Sequence, residues 1–244
     1  EVLRVSDVHD RAFFIRKKGT RDEFELCSVD AKTGDVKVIL HEVSKPYLNE
    51  ELFSCRVLNG GEDILLWSDR SGWGHYYHYD GNGKLLNAVT SGEWTAGRIM
   101  KIDTVKKQIY LYGYGKEKGC NPNYTHMYRV GFNGRRLTLL TPGNATHSAF
   151  VHLGGGLIVD NFSRIDTVPQ IAVRDINGRL LTILEKTDIS RLLEYGWKYP
   201  EQFTAKAADG KTDLYGIMWK PYDFDPSKKY PIVSQVYPGP QTET

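Results

Sequence analysis

Few side chains in this sequence have the type and spacing to do chemistry, and they lie far apart. Glu50 and Glu51 set two carboxylates side by side in Tyr47-Leu-Asn-Glu-Glu-Leu-Phe53, and two carboxylates are sound chemistry for holding an ammonium group, although a solvated loop is the plainer reading. The phenol of Tyr237 follows an apolar run, Ile232 to Val236, that reads as a buried strand running into a tight loop. His75 and His78 have H-x-x-H spacing, but on a strand that spacing sends them to opposite faces. Zinc needs three or four convergent ligands, so no metal or other cofactor is expected. His126, His147 and His152 are scattered, and Gly154-Gly-Gly156 lacks the Lys and following Ser or Thr of a phosphate-binding loop. No G-x-S-x-G is present, so these residues do not encode a strained turn that presents a serine nucleophile.

The elements that position these groups are short strands. Fifteen Tyr, five Trp and 24 Gly among 244 residues favour aromatic strands joined by tight turns. With 32 basic and 30 acidic residues the net charge is only +2, and basic residues do not cluster, which argues against a nucleic-acid partner. Apolar runs such as Ile64-Leu65-Leu66-Trp67 are too short to span a bilayer, so no membrane segment is expected. Cys27, Cys55 and Cys120 are odd in number and widely spaced, as buried thiols are, and form no disulfide framework. Asn123, Asn144 and Asn161 head N-x-S/T sequons, which matter only in a eukaryotic secretory protein. The sequence opens at Glu1 with neither Met nor an apolar leader, so Glu1 reads as a boundary and native targeting cannot be read from it.

One pattern recurs four times: an alternating run, a polar turn ending in Gly, and a second alternating run. The first runs are Phe24 to Asp30, Tyr76 to Asp80, Met127 to Val130 and Ile171 to Asp175, with turns at Gly34, Gly83, Gly134 and Gly178. The second runs begin at Val36, Leu85, Leu137 and Leu180, and another apolar strand precedes each hairpin. The turn glycines are 49, 51 and 44 residues apart, the period of one four-stranded propeller blade. Near Asp188 the pattern changes to a helix N-cap, one or two helical turns over Ile189 to Leu193, and a stop at Gly196. A hairpin follows, Gln202 to Ala207 and Leu214 to Lys220, whose alternation suits a half-buried edge. The expected fold is mainly β: about four β-propeller blades over residues 1–193, then over 194–244 a linker and the first strands of a truncated α/β-hydrolase domain. Four blades make half of a large ring or a complete small one.

Three motifs resemble the prolyl oligopeptidase clan of serine peptidases, and most closely its dipeptidyl peptidase IV branch. They are Trp67 to Tyr77 with Thr90 to Trp94, Lys206 to Gly216, and Pro221 to Pro231 running into Val236-Tyr-Pro-Gly-Pro240. The resemblance implies the C-terminal blades of an N-terminal propeller leading into a catalytic domain. It implies an exopeptidase that removes short N-terminal peptides, often after Pro or Ala, with the propeller acting as a filter on peptide substrates. Tyr237 matches the tyrosine that helps form the oxyanion hole in this clan, and a phenol at a strand-end loop has the chemistry to donate there. Glu50 and Glu51 resemble the acidic pair that holds the substrate amino terminus, although the clan's pair comes from an earlier blade. Nucleophile, acid and base are missing, so this stretch alone is expected to be inactive. Open blade faces should self-associate, a homodimer of two half-rings being one arrangement. Resemblance points to the bacterial periplasm or an extracellular location. The rival from another class is a non-catalytic propeller that binds protein or glycan, with Trp73, Tyr76, Tyr77 and Tyr79 as a sugar platform rather than blade core.

Overall fold

The computed structural model describes residues 10–236 in full and residues 2–6 as backbone. Four antiparallel four-stranded sheets follow one another along the chain, each a meander in sequence order. Blade 1 holds β1 (Val2–Ser6), β2 (Arg11–Lys17), β3 (Glu23–Asp30) and β4 (Val36–Val43). Blade 2 holds β5 (Cys55–Leu58), β6 (Asp63–Ser68), β7 (His75–Asp80) and β8 (Leu85–Ala88). Blade 3 holds β9 (Thr95–Asp103), β10 (Gln108–Tyr114), β11 (Thr125–Gly131) and β12 (Thr138–Leu139). Blade 4 holds β13 (Thr146–His152), β14 (Leu157–Arg164), β15 (Thr167–Asp175) and β16 (Leu180–Lys186). These are the blades of a β-propeller.

The four expected hairpins are the β3–β4, β7–β8, β11–β12 and β15–β16 turns. Their physics repeats. Asp80 Oδ1 accepts from the Asn82 and Lys84 N–H groups, both at 2.9 Å, and Asp175 Oδ1 accepts from Asn177 and Arg179 at 2.9 and 3.0 Å. The glycine that closes each turn has positive φ, from 73° at Gly134 to 89° at Gly178. Gly178 also lies so close to blade 3 that a Cβ there would stand 2.7 Å from the Leu140 carbonyl oxygen. The first strand of each blade was not legible as a strand. In β13 the buried positions are His147, Ala149 and Val151, and β5 is only four residues long.

The core lies between blades. Phe13, Phe24 and Leu26 of blade 1 pack with Ile64, Leu66 and Tyr77 of blade 2. Trp67 and Tyr76 of blade 2 meet Ile109, Leu111 and Tyr128 of blade 3, and Tyr110 and Met127 of blade 3 meet Ala149, Val151 and Ile158 of blade 4. Each large side chain so buried contributes about 1.5–3 kcal/mol. Polar tips cross the same boundaries. Trp67 Nε1–H donates to the Ala96 carbonyl at 2.7 Å, the Tyr76 hydroxyl to Gly97 at 3.1 Å, and the Tyr112 hydroxyl accepts from Ala149 N–H at 2.9 Å. Burial pushes the Tyr76 phenol up to about 12.

Buried charge is braced in the same way. Asp160 accepts from His147 Nδ1 at 2.9 Å and Arg174 Nε at 2.8 Å within blade 4. Asp63 in blade 2 receives Asn59 at 2.5 Å, His78 at 2.7 Å and, from blade 3, Lys107 Nζ at 3.0 Å. Burial raises the Asp63 carboxyl, but these three hydrogen-bond donors outweigh it and hold it below its ordinary range.

After blade 4 the structure departs from expectation in three places. The helix α1 (Ser190–Glu194) is a single turn whose N-cap is Ile189 rather than Asp188; Asp188, one residue further out, accepts from Ser190 N–H at 2.9 Å. The expected hairpin forms as β17 (Glu201–Lys206) and β18 (Asp213–Met218), with Phe203 opposite Gly216, but is exposed rather than half-buried. Ile232 to Val236 form no strand: Ile232 and Val233 are more than 90% exposed. A strand exists only where a neighbour satisfies its backbone groups, and among the described residues none lies beside it.

Two outcomes follow from this packing. Gly178→Ala adds an αL penalty of about 1–2 kcal/mol to a steric clash of about 1–3 kcal/mol. Gly210→Ala, with φ +68° and open space around it, carries only the first; urea midpoints of the two variants should separate accordingly. Because the folded Asp63 carboxyl is depressed, its stabilisation is complete above the unfolded pKa of about 3.9 and is lost as pH falls through the folded value. The urea midpoint should therefore drop below about pH 4, and Asp63→Asn should lower the pH 7 stability by about 1–3 kcal/mol while flattening that acid limb.

Candidate functional site

Strand polarity decides which segments meet. In each meander the turn between the second and third strands lies at the same end as the segment leaving the fourth strand. That end gathers turns 18–22, 69–74, 115–124 and 165–166 with links 44–54, 89–94, 140–145 and 187–200. The chain leaves the propeller there, so this end faces whatever follows blade 4.

Link 44–54 carries the two candidate carboxylates and is fixed to both neighbouring blades. Ser44 N–H donates to the Asp22 carbonyl and Leu48 N–H to the Arg21 carbonyl, each at 2.8 Å. The Ser44 hydroxyl donates to Asp69 Oδ1 at 3.2 Å, and Asn49 Oδ1 accepts from Leu52 N–H at 3.1 Å. Glu50 pairs with Lys17 Nζ at 3.4 Å and Arg21 Nη1 at 3.0 Å, and the Lys17 ammonium lies 4.9 Å from the centre of the Phe53 ring. The two carboxylates therefore differ. Both are exposed, but a ligand ammonium would meet Glu50 already shared by two cations. Tyr237 lies outside the described residues.

Sequence reasoning missed the adjoining arginine. Arg70 stacks 4.4 Å from the Tyr77 ring centre, and its Nε donates to Ser68 Oγ at 3.0 Å. The Arg70 guanidinium and the Ser68 hydroxyl both donate to the Glu42 carboxylate. Arg70 belongs to the Trp67 to Tyr77 motif, but Glu42 belongs to the preceding blade, so no local spacing reveals the pair.

The histidines of the H-x-x-H motif are committed separately. His75 Nε2 contacts the Gly92 carbonyl at 2.9 Å and Nδ1 the Thr90 hydroxyl at 3.0 Å; burial pushes its pKa down, which favours the neutral ring. His78 belongs to Asp63. Among the described residues no three His, Cys, Asp or Glu side chains converge as a metal would require. Trp94 packs against His75 and Tyr128 beneath Lys116, and the Tyr128 hydroxyl donates to Glu117 at 2.8 Å. The aromatic platform does not form: Tyr76, Tyr77 and Tyr79 are core residues, and only Trp73 of the four is exposed. An open groove of about 360 Å³ separates blade 4 from α1, with Asp166, Lys186, Asp188, Leu193 and Tyr199 in its walls. What this end offers is binding chemistry: an exposed carboxylate, fixed cations and a rigid rim.

Comparison with known proteins places this geometry. The Dipeptidyl peptidase IV (DPP IV) N-terminal region family matches residues 8–169. The chain is 28% identical over 248 aligned residues to a probable dipeptidyl peptidase 4 of Trichophyton verrucosum, covering 98% of this chain and 32% of that protein. It is also 28% identical to dipeptidyl peptidase 8 of Homo sapiens, covering 64% of this chain and 18% of the human one. The chain thus spans about a third of the length of the fungal relative. The crystal structure of Porphyromonas gingivalis dipeptidyl peptidase 4 superposes with a TM-score of 0.74 at 22% identity, over 91% of this chain and 31% of that one. A putative dipeptidyl aminopeptidase IV from Bacteroides ovatus gives 0.71, also at 22% identity, over 91% of this chain and 34% of that one. Those two share its fold. With residues 8–169 matched to it, the chain belongs to the dipeptidyl peptidase IV N-terminal region family.

Proposed function

We propose that this chain is the later part of the propeller, with the first strands of the catalytic domain, of a serine exopeptidase that removes short peptides from free amino termini. The observation that carries the reading is the junction. Four blades of the matched family lead through a single helical turn into a hairpin outside the blade series, and a stand-alone propeller has no need of one. In this reading the propeller end admits extended peptide ends and excludes folded proteins, so selectivity comes from access. Glu51 is the available carboxylate for a substrate ammonium, and Glu50 is held by Lys17 and Arg21 to position the link. Tyr237 donates to the oxyanion. With no G-x-S-x-G in the chain, these residues alone do not turn substrate over.

The test is chromogenic dipeptide release by the natural reading frame that contains this chain. Peptides with a free amino terminus should be cleaved and their N-acetylated counterparts should not; equal cleavage of both would overturn the exopeptidase reading. Tyr237→Phe should lower kcat about 10²- to 10³-fold with little change in KM, and Glu51→Gln should raise KM instead.

Self-association belongs to the same reading. Blade 4 leaves Phe150 67% exposed and Val159 40% exposed on its outer face, and open apolar blade faces associate. Sedimentation of residues 1–244 should show a dimer at micromolar concentration that Phe150→Asp dissociates; a monomer throughout would exclude it.

A further inference from the structure

Beyond α1 the chain turns back onto the propeller with few contacts. Among the described residues β17 and β18 pair with each other, and nearly all of their residues are exposed. One side chain reaches across: the Tyr124 hydroxyl donates to Gln202 Oε1 at 2.9 Å, joining residues 78 apart in sequence. Tyr124 closes turn 115–124 of blade 3, and Gln202 is the second residue of β17. Blade 4 sets a charged turn at the same end. Asp166, in turn 165–166, is clamped by Arg164, whose Nε and Nη2 donate to its two oxygens at 2.7 and 2.5 Å. Arg164 holds the Asp166 carboxyl below its ordinary range, and the Gln202 side chain adds a smaller hydrogen-bonding share. Arg164 Nη1 also donates to the Asn144 carbonyl at 3.4 Å, in the link between blades 3 and 4. The Gln202 carbonyl oxygen therefore touches blade 3 beside its boundary with blade 4.

The chemistry suits glutamine. Its carbonyl oxygen accepts from the phenol and so ties a neutral side chain to blade 3 without burying a charge. We propose that Gln202 is a positioning residue, a latch that seats hairpin β17–β18, and with it the chain that follows, on the propeller end at Tyr124. What the latch positions for catalysis rests on the peptidase reading above; the seating itself is a property of this chain.

A distance measurement tests it without substrate. Spin labels go on Val105→Cys, at the far end of blade 3 and 92% exposed, and on Lys211→Cys at the hairpin tip, with Cys120→Ser in the background. Double electron–electron resonance on residues 1–244 should give one narrow distance population. Tyr124→Phe removes one hydrogen bond and should raise the unseated fraction about fivefold, and Gln202→Ala should raise it up to about 30-fold, while the melting temperature stays the same in both. Gln202→Glu sets a carboxylate at the propeller end that carries Asp166, so it should unseat the hairpin at pH 7 and reseat it near pH 4, about where a carboxyl takes up a proton; a merely structural surface residue gives no such profile. Identical distributions in parent and variants, or a broad one in the parent, would overturn the proposal. Loss of peptidase activity with the distances intact would count against the catalytic reading alone.

Discussion

Everything in this molecule depends on one blade face packing against the next. A four-stranded sheet has two faces and no core of its own, so each blade is stable only where a neighbour covers it. Phe13 and Phe24, Trp67 and Tyr76, then Tyr110 and Met127 form three successive inter-blade cores. The aromatic side chains also place an indole N–H or a hydroxyl across each of the later boundaries, so that burial and hydrogen-bond satisfaction are achieved by the same residues. This fixes the lateral register of one blade on another, which apolar contact alone would leave free to slide.

Once the blades are fixed, chain polarity decides the rest. A meander of four strands brings its middle turn and its exit to one end, and four repetitions stack those turns into a rim. Rigidity there comes from polar contacts placed between blades. Glu50 is held by Lys17 and Arg21, Arg70 by Glu42, and link 44–54 by the Asp22 carbonyl and the Asp69 carboxylate. Surface ion pairs add little stability one at a time; here their effect is geometric, because each fixes a link whose ends already belong to different sheets.

Under the proposed peptidase reading, this arrangement would suit selection by access: a rim of braced turns would resist the widening that a folded protein demands, while an extended peptide end needs none. The exposed hairpin β17–β18 lies outside the blade series.

The sequence by itself determined the local events. Asp and Asn at turn starts, Gly at positive φ and alternation on either side depend only on neighbours along the chain, so the four hairpins, their period and a helical turn after Asp188 were legible. So was the resemblance to the dipeptidyl peptidase IV family. The first strand of each blade was not, because its buried positions include His147 and Ala149, which carry no apolar signal until a neighbouring sheet covers them. Ile232 to Val236 shows the converse: an apolar run states a propensity, and a strand needs a partner to take its hydrogen bonds. Only the tertiary structure separated Glu50 from Glu51, since the cations that claim Glu50 lie about 30 residues away on β2 and its turn. It alone paired Arg70 with Glu42 and brought Tyr124 to Gln202. Those contacts lie across blade boundaries, where distance in sequence carries no information and only packing decides who meets whom.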